Sequence, residues 1–362
     1  MPNRCTTRII LTTAAAATSL VAAAVVPAVA TASTPRVVTL STEVIAPFQL
    51  TVSKGQLFVG DGGTSLASKV TSNGLQTVAR GPQPGEVTGV ARNGANEFAY
   101  TSTNYATGQT YLKVKRPGRS TLAVNLSAFE AGHNPDKAIR YGIDNPTPCQ
   151  VKALKPTGVP ASYRGMVDSH PYAVASLGNG NWAVADAAGN DLLRVDRRGN
   201  ISVIKVLPRQ PATITAAAAK AHHLRRCVVG AVYNFEPVPT DVEVGPNGAL
   251  YVTTLPGGPE DPSLGARGSV YRIDASTGHY KRLATGFAGA TNLAVTSTGT
   301  VYVAEFFAGR ISKLVGNAAM PYLSLPAVVS VTAGNGHLYA GTLAPIDDQG
   351  RPTGYGSIVQ IH

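Results

Sequence analysis

Three observations in the sequence predict an all-β fold, a six-bladed β-propeller. A short apolar run, a Gly-containing turn and a second apolar or aromatic run return six times after residue 40. The copies recur at about 40 residues with several strands each, which is the period of propeller blades. Gly and Pro are dense, 38 and 25 of 362 residues, and only 14% of residues are charged, as many short strands joined by turns around a sizeable core require.

Residues 1–32 read as a signal peptide. Arg4 and Arg8 precede a nearly continuous apolar stretch from Ile9 to Val29, and small residues offer cleavage after Ala30 or Ala32. Residues 33–362 then form one propeller domain, secreted or held at the cell wall. The strand-like run Arg36-Val37-Val38-Thr39-Leu40-Ser41 has no strands a, b or c before it, while the last repeat stops at a third strand, Gly356–Ile361. The economical solution is that Arg36–Val44 supplies strand d of the final blade and closes the ring. The repeats between them read as Leu50–Val59, Val87–Tyr100, Ala173–Val184, Val242–Val252, Leu293–Val303 and Val329–Ala340. In the fourth, Val270-Tyr271-Arg272-Ile273 alternates, with Val270 and Arg272 on one side and Tyr271 and Ile273 on the other.

Turn lengths are one-sided. The a–b turns, such as Ser53-Lys54-Gly55 and Gly245 to Gly248, are short. The long segments, Ser127–Ser169, Arg209–Val238, Leu255–Arg267 and Ala344–Tyr355, all fall in b–c loops or d–a crossovers, which share one face of the ring. They predict a loop-rich rim around the channel mouth, where function is expected. Short helices are expected there, one over the Ala-rich Thr215–Arg226. With Cys5 removed, Cys149 and Cys227 remain on the crossovers flanking the third blade, and in an exported protein they predict one disulfide stapling otherwise loose segments.

The formal net charge of +11 suggests association with anionic cell-wall polymers. Nucleic acid is not an expected partner: beyond short pairs such as Arg197-Arg198 and Arg225-Arg226 the basic residues are dispersed, and aromatics make up 6%. A monomer is expected, with an unknown small molecule or protein as ligand.

Candidate chemistry gathers on the rim. Asp168-Ser169-His170-Pro171-Tyr172 opens strand a of the third blade, where Asp168 and His170 offer an acid and a base. Asp61, Asp186 and Glu305 follow strands b of different blades, and such a ring suits a hard cation, Ca²⁺ in particular. Ser102, Thr254 and Thr342 occupy the comparable places elsewhere. Asp241 and Asn292 join Asp168, His170, Tyr172, Asp186 and Glu305 as residues expected to face a ligand at the rim. His222-His223 are neighbours about 100° apart on a helix and make no metal face. No phosphate loop, His-Glu-xx-His motif or Gly-x-Ser-x-Gly elbow occurs.

Several of these stretches resemble one family. Asp168 to Tyr172, then Ala185-Asp186-Ala187-Ala188-Gly189-Asn190-Asp191-Leu192-Leu193-Arg194-Val195-Asp196, is similar to the signature of the ScyD/ScyE family of exported, propeller-like bacterial proteins, many from actinobacteria. Phe129-Glu130 with Asn134-Pro135-Asp136, and Val238-Pro239-Thr240-Asp241-Val242, are similar to the segments flanking it. His170 departs from the usual Asn, and Thr296-Ser297-Thr298-Gly299 from Gly-Pro-Asp-Gly. The resemblance implies no catalytic residues. The expected function is a non-catalytic binding module acting through its rim; the alternative is a metal-dependent lactonase-like hydrolase or lyase at the channel mouth.

Overall fold

The computed structural model describes residues 35–259 and 261–362. The signal peptide expected over residues 1–32 lies outside the described residues. Among those described, no helix is long and apolar enough to cross a membrane.

The described residues form seven four-stranded antiparallel sheets. Six follow the repeats. Their innermost strands, Pro47–Ser53, Gly85–Arg92, Pro171–Gly178, Pro239–Val244, Ala290–Val295 and Val328–Gly334, neighbour one another in that order, and the sixth returns to the first. The ring therefore closes over six sheets, called blades 1 to 6. In blade 6 the outermost strand is Val37–Val44, paired antiparallel with Gly356–Ile361 from Val37 opposite Ile361 to Val44 opposite Gly356. The expected closure by the first strand holds.

Alternation builds the interfaces between blades, since the inner strands of each sheet are buried on both faces. On strand b of blade 3, Trp182 and Val184 pack toward blade 2 against Leu112 and Val114. The intervening Ala183 and Ala185 face blade 4, against Val242, Leu250 and Tyr271. Large side chains on one face and Ala on the other let neighbouring blades pack closely. Tyr271 and Ile273 turn to blade 3 and Val270 to blade 5, as the alternation predicts.

The seventh sheet belongs to the rim. Its strands, Ser162–Arg164, Arg140–Ile143, Val232–Phe235 and Gln210–Thr213, come from both crossovers flanking blade 3. The helices Leu126–His133 (α1), Pro148–Leu154 (α2) and Ala216–Ala221 (α3) accompany it. These crossovers are therefore a folded cap with its own apolar centre of Ile143, Leu154, Ile214, Val228, Tyr233 and Phe235. The helix expected over Thr215–Arg226 is shorter: Thr215 caps α3, and the chain turns at His222 and at His223, whose φ is 53°. The turn carries Cys227 to Cys149, and the two form the expected disulfide, joining α2 to the 3₁₀ turn Arg226–Val228.

Candidate functional site

Every innermost strand has the same irregularity near its entrance. Register shifts at Pro47/Gln49, Val87/Val90, Pro171/Ala173, Pro239/Asp241, Ala290/Asn292 and Val328/Ser330 place a bulge there in all six blades. A bulge leaves ladder groups unpaired, and here side chains in the channel accept from the freed amides. Val90 N and Val174 N donate to Gln49 Oε1 at 2.8 and 3.1 Å. Leu293 N donates to Asp241 Oδ2 at 2.9 Å, and Val331 N to Asn292 Oδ1 at 2.8 Å. Gln49 Nε2 donates across the ring to Asp241 Oδ1 at 3.0 Å. Asp241 and Asn292, expected on the rim, are instead 0% and 1% exposed in this polar plug, because the bulged amides require acceptors. Burial pushes the Asp241 carboxyl up to about 7. It also pushes up Glu243, which the Asp241 charge raises further.

Asp61, Asp186 and Glu305 do not come together. Each holds the crossover entering its own blade. Asp61 accepts from Ile45 N, Ala46 N and Gly63 N. Asp186 accepts from Ser169 Oγ, His170 N and Gly189 N. Glu305 accepts from Ala288 N, Arg310 and Ser312 Oγ. The expected carboxylate ring is corrected to three separate clasps, and among the described residues no three His, Cys, Asp or Glu side chains converge on a point where one metal ion could sit.

At the mouth, His170 finds a different partner from the one expected. Asp168 is exposed and accepts from Ser169 N at 2.9 Å, capping its own turn. The His170 ring instead engages Glu86, at the entrance of blade 2. The Glu86 side chain is 7% exposed and that of His170 37%. Burial pulls His170 down, but the hydrogen bond and charge of Glu86 outweigh it and the imidazole is raised. Burial conversely raises Glu86, and His170 more than reverses this, leaving it lowered. Tyr172 lies edge-on to His170 at 5.7 Å and against Phe48 at 5.1 Å. Burial and then Glu86 raise the phenol of Tyr105 beside the pair. Glu86, Phe48 and Tyr105 carry no motif in the sequence; only ring closure brings blades 1, 2 and 3 to one place.

A cavity of about 530 Å³ opens in the cap, lined mainly by Leu154, Ile214, Leu224, Tyr233, Phe235 and Leu264. Its polar groups are few. His222 Nε2 stands 3.0 Å from Asp261 Oδ2 and 3.0 Å from Ser263 Oγ. Gly258, with φ of 99°, borders it where a Cβ would lie 2.3 Å from the Phe235 ring, so only Gly fits. The disulfide and the Gln150 Nε2 bond to Cys227 O at 3.3 Å brace the two crossovers that form its walls. A second cavity, about 480 Å³, lies on the opposite, turn-bearing face and is lined by Arg194, Arg272, His279 and Lys281 among others.

No protein-family model matches the sequence, and no curated protein matches it. Solved structures do match. A gluconolactonase from Xanthomonas campestris is similar at a TM-score of 0.53 and 9% identity, over 90% of this chain and 89% of that one. The PQQ-bound aldose sugar dehydrogenase of Streptomyces coelicolor is similar at 0.52 and 12%, over 91% and 99%. A luciferin-regenerating enzyme is similar at 0.52 and 13%, over 90% and 95%. At such identities the likeness is one of fold, a β-propeller.

Proposed function

We propose that this chain is an exported propeller of the ScyD/ScyE type that captures a small apolar molecule in its rim cap. The cavity carries this reading. Ligand pockets of about 300–1,000 Å³ are typically apolar with a few placed polar groups, and this one sets the His222–Asp261 pair against a wall of Leu, Ile, Tyr and Phe. The ring is the rigid base and the braced crossovers are the recognition surface. The disulfide suits an oxidising compartment. The excess of basic over acidic residues in the second cavity, Arg194, Arg272 and Lys281 against Asp274, supports association of the opposite face with anionic wall polymers.

A neutral fluorophore, N-phenyl-1-naphthylamine, tests the capture. Saturable uptake of one molecule per chain is expected, lost in Val159→Trp, because Val159 lines the cavity and is already 39% exposed. No uptake, or equal uptake by the variant, overturns the reading.

A second reading rests on His170 and Glu86. A half-exposed imidazole raised by a carboxylate is equipped to move a proton, so a hydrolase or lyase acting at the mouth is the alternative. Turnover of lactones abolished by His170→Gln would favour it; turnover unchanged in that variant would remove it.

A further inference from the structure

Behind the mouth, between the first crossover and blade 3, lies a group of acids without an ion-pair partner. Glu130 from α1, Asp136 just after it, and Asp186 and Asp191 at the b–c turn of blade 3 are 3%, 0%, 1% and 1% exposed. None of the five ion pairs among the described residues includes any of them. Asp186 is spoken for by its crossover, and one oxygen of Asp136 accepts from Tyr141 OH at 2.9 Å and Asn190 Nδ2 at 3.0 Å. The remaining oxygens are unpartnered: both of Asp191, Oε1 of Glu130, Oδ1 of Asp136 and Oδ1 of Asn134. The Asn134 amide nitrogen donates to Gly165 O at 3.1 Å. Gly165 leaves room in turn, since a Cβ there would lie 1.9 Å from Asp136 Oδ1.

An unpaired buried carboxylate costs several kcal/mol, and neighbouring ones repel. A hard divalent ion ligated by oxygen removes both penalties. We propose that these oxygens form a binding site for a cation of the Ca²⁺ class. No three acids already converge on one point, so the ion takes Asp191, whose two free oxygens permit bidentate binding, with Glu130, whose Oε1 is also unpartnered, as the second carboxylate. Neutral oxygens, Asn134 Oδ1 among them, complete the shell. Burial, then the charges of Asp186 and Asp136, push the Glu130 carboxyl up to about 8, and burial raises Asp191 well above its usual range. The site ties α1 to blade 3 and is independent of the cap cavity.

Tb³⁺ and Ca²⁺ probe it directly in protein stripped with EGTA. Tyr141, bonded to Asp136, should sensitise Tb³⁺ emission that Ca²⁺ quenches by competition. Equilibrium dialysis should find one Ca²⁺ per chain, and Ca²⁺ should raise the melting temperature. Asp191→Asn should weaken binding at least tenfold, and Glu130→Gln serves if that variant does not fold. Asp347→Asn, in the loop before the last strand, should bind like the wild type. Wild-type protein that retains no Ca²⁺ at millimolar concentration, or retention unchanged in the folded Asp191 or Glu130 variant, overturns the proposal.

Discussion

Glu86→Gln leaves a hydrogen-bonding side chain beside His170 but removes the charge that raises the imidazole. The sign of the effect follows from the two directions. His170, raised above 6.5, contributes stability fully present below that value and lost as pH rises through the higher folded value. Glu86, lowered below 4.5, contributes stability present above that value and lost as pH falls through the lower one. The wild type should exceed the variant most between about pH 4.5 and 6.5, by no more than about 1 kcal/mol because His170 is partly exposed to water. Urea midpoints across pH 4 to 9 check this, and a constant gap would contradict it. At this scale the sequence was only partly legible. Asp168-Ser169-His170 marks the mouth by its place at a strand entrance, but the identity of the partner depends on which blade lies alongside. Asp61, Asp186 and Glu305 are legible as a set and misleading as a site, since an acid ending a strand serves the nearest free amides first.

Individual strands were readable wherever alternation runs for five residues or more. Those of the cap are not, because strands of three and four residues such as Ser162–Arg164 and Gln210–Thr213 carry no period. Their sheet exists through pairing between two crossovers, and the cavity is a product of that pairing. The disulfide closes a separation of 78 residues, for which the chain-entropy model gives about 4–5 kcal/mol. Much of this should act locally, because the blade strands beneath the cap are fixed by the ring. In Cys149→Ser, hydrogen exchange should quicken in residues 140–164 and 210–235 well before it does in Trp182–Val184; uniform loss of protection would count against a separate cap. Deleting residues 36–44 is a different injury. It removes Val44, fully buried, and strips the outer edge from Gly356–Ile361. A loss of roughly 4 kcal/mol is expected, and a melting temperature equal to the full chain's would refute the role assigned to this strand.

For the molecule as a whole, the repeats made the ring legible and the missing fourth strand made its closure legible. Arg36 and His362 confirm how near the closing segments lie: Arg36 N donates to His362 O at 3.3 Å, and His362 N to Arg36 O at 2.9 Å. A circular permutant joining His362 to Arg36 through a short Gly linker, opened in the exposed turn at Gly316-Asn317, should fold with a denaturation midpoint no lower than that of the parent. A markedly lower midpoint would show that the join distorts blade 6.

The shared blade also sets a schedule for the nascent chain. Of the described strands Val37–Val44 is the first to be made, yet the one it pairs with, Gly356–Ile361, follows those of the other five blades. Five blades can assemble in turn while this segment waits, and the contact that ends the wait joins strands separated by all of them, the slowest kind to form. A waiting strand is a hazard for neighbouring chains. Thr39, Ser41, Thr42 and Glu43 break up its apolar residues, and most of it stays exposed or half-exposed even after docking. The strand with the longest delay is thus one of those best suited to spend it in water.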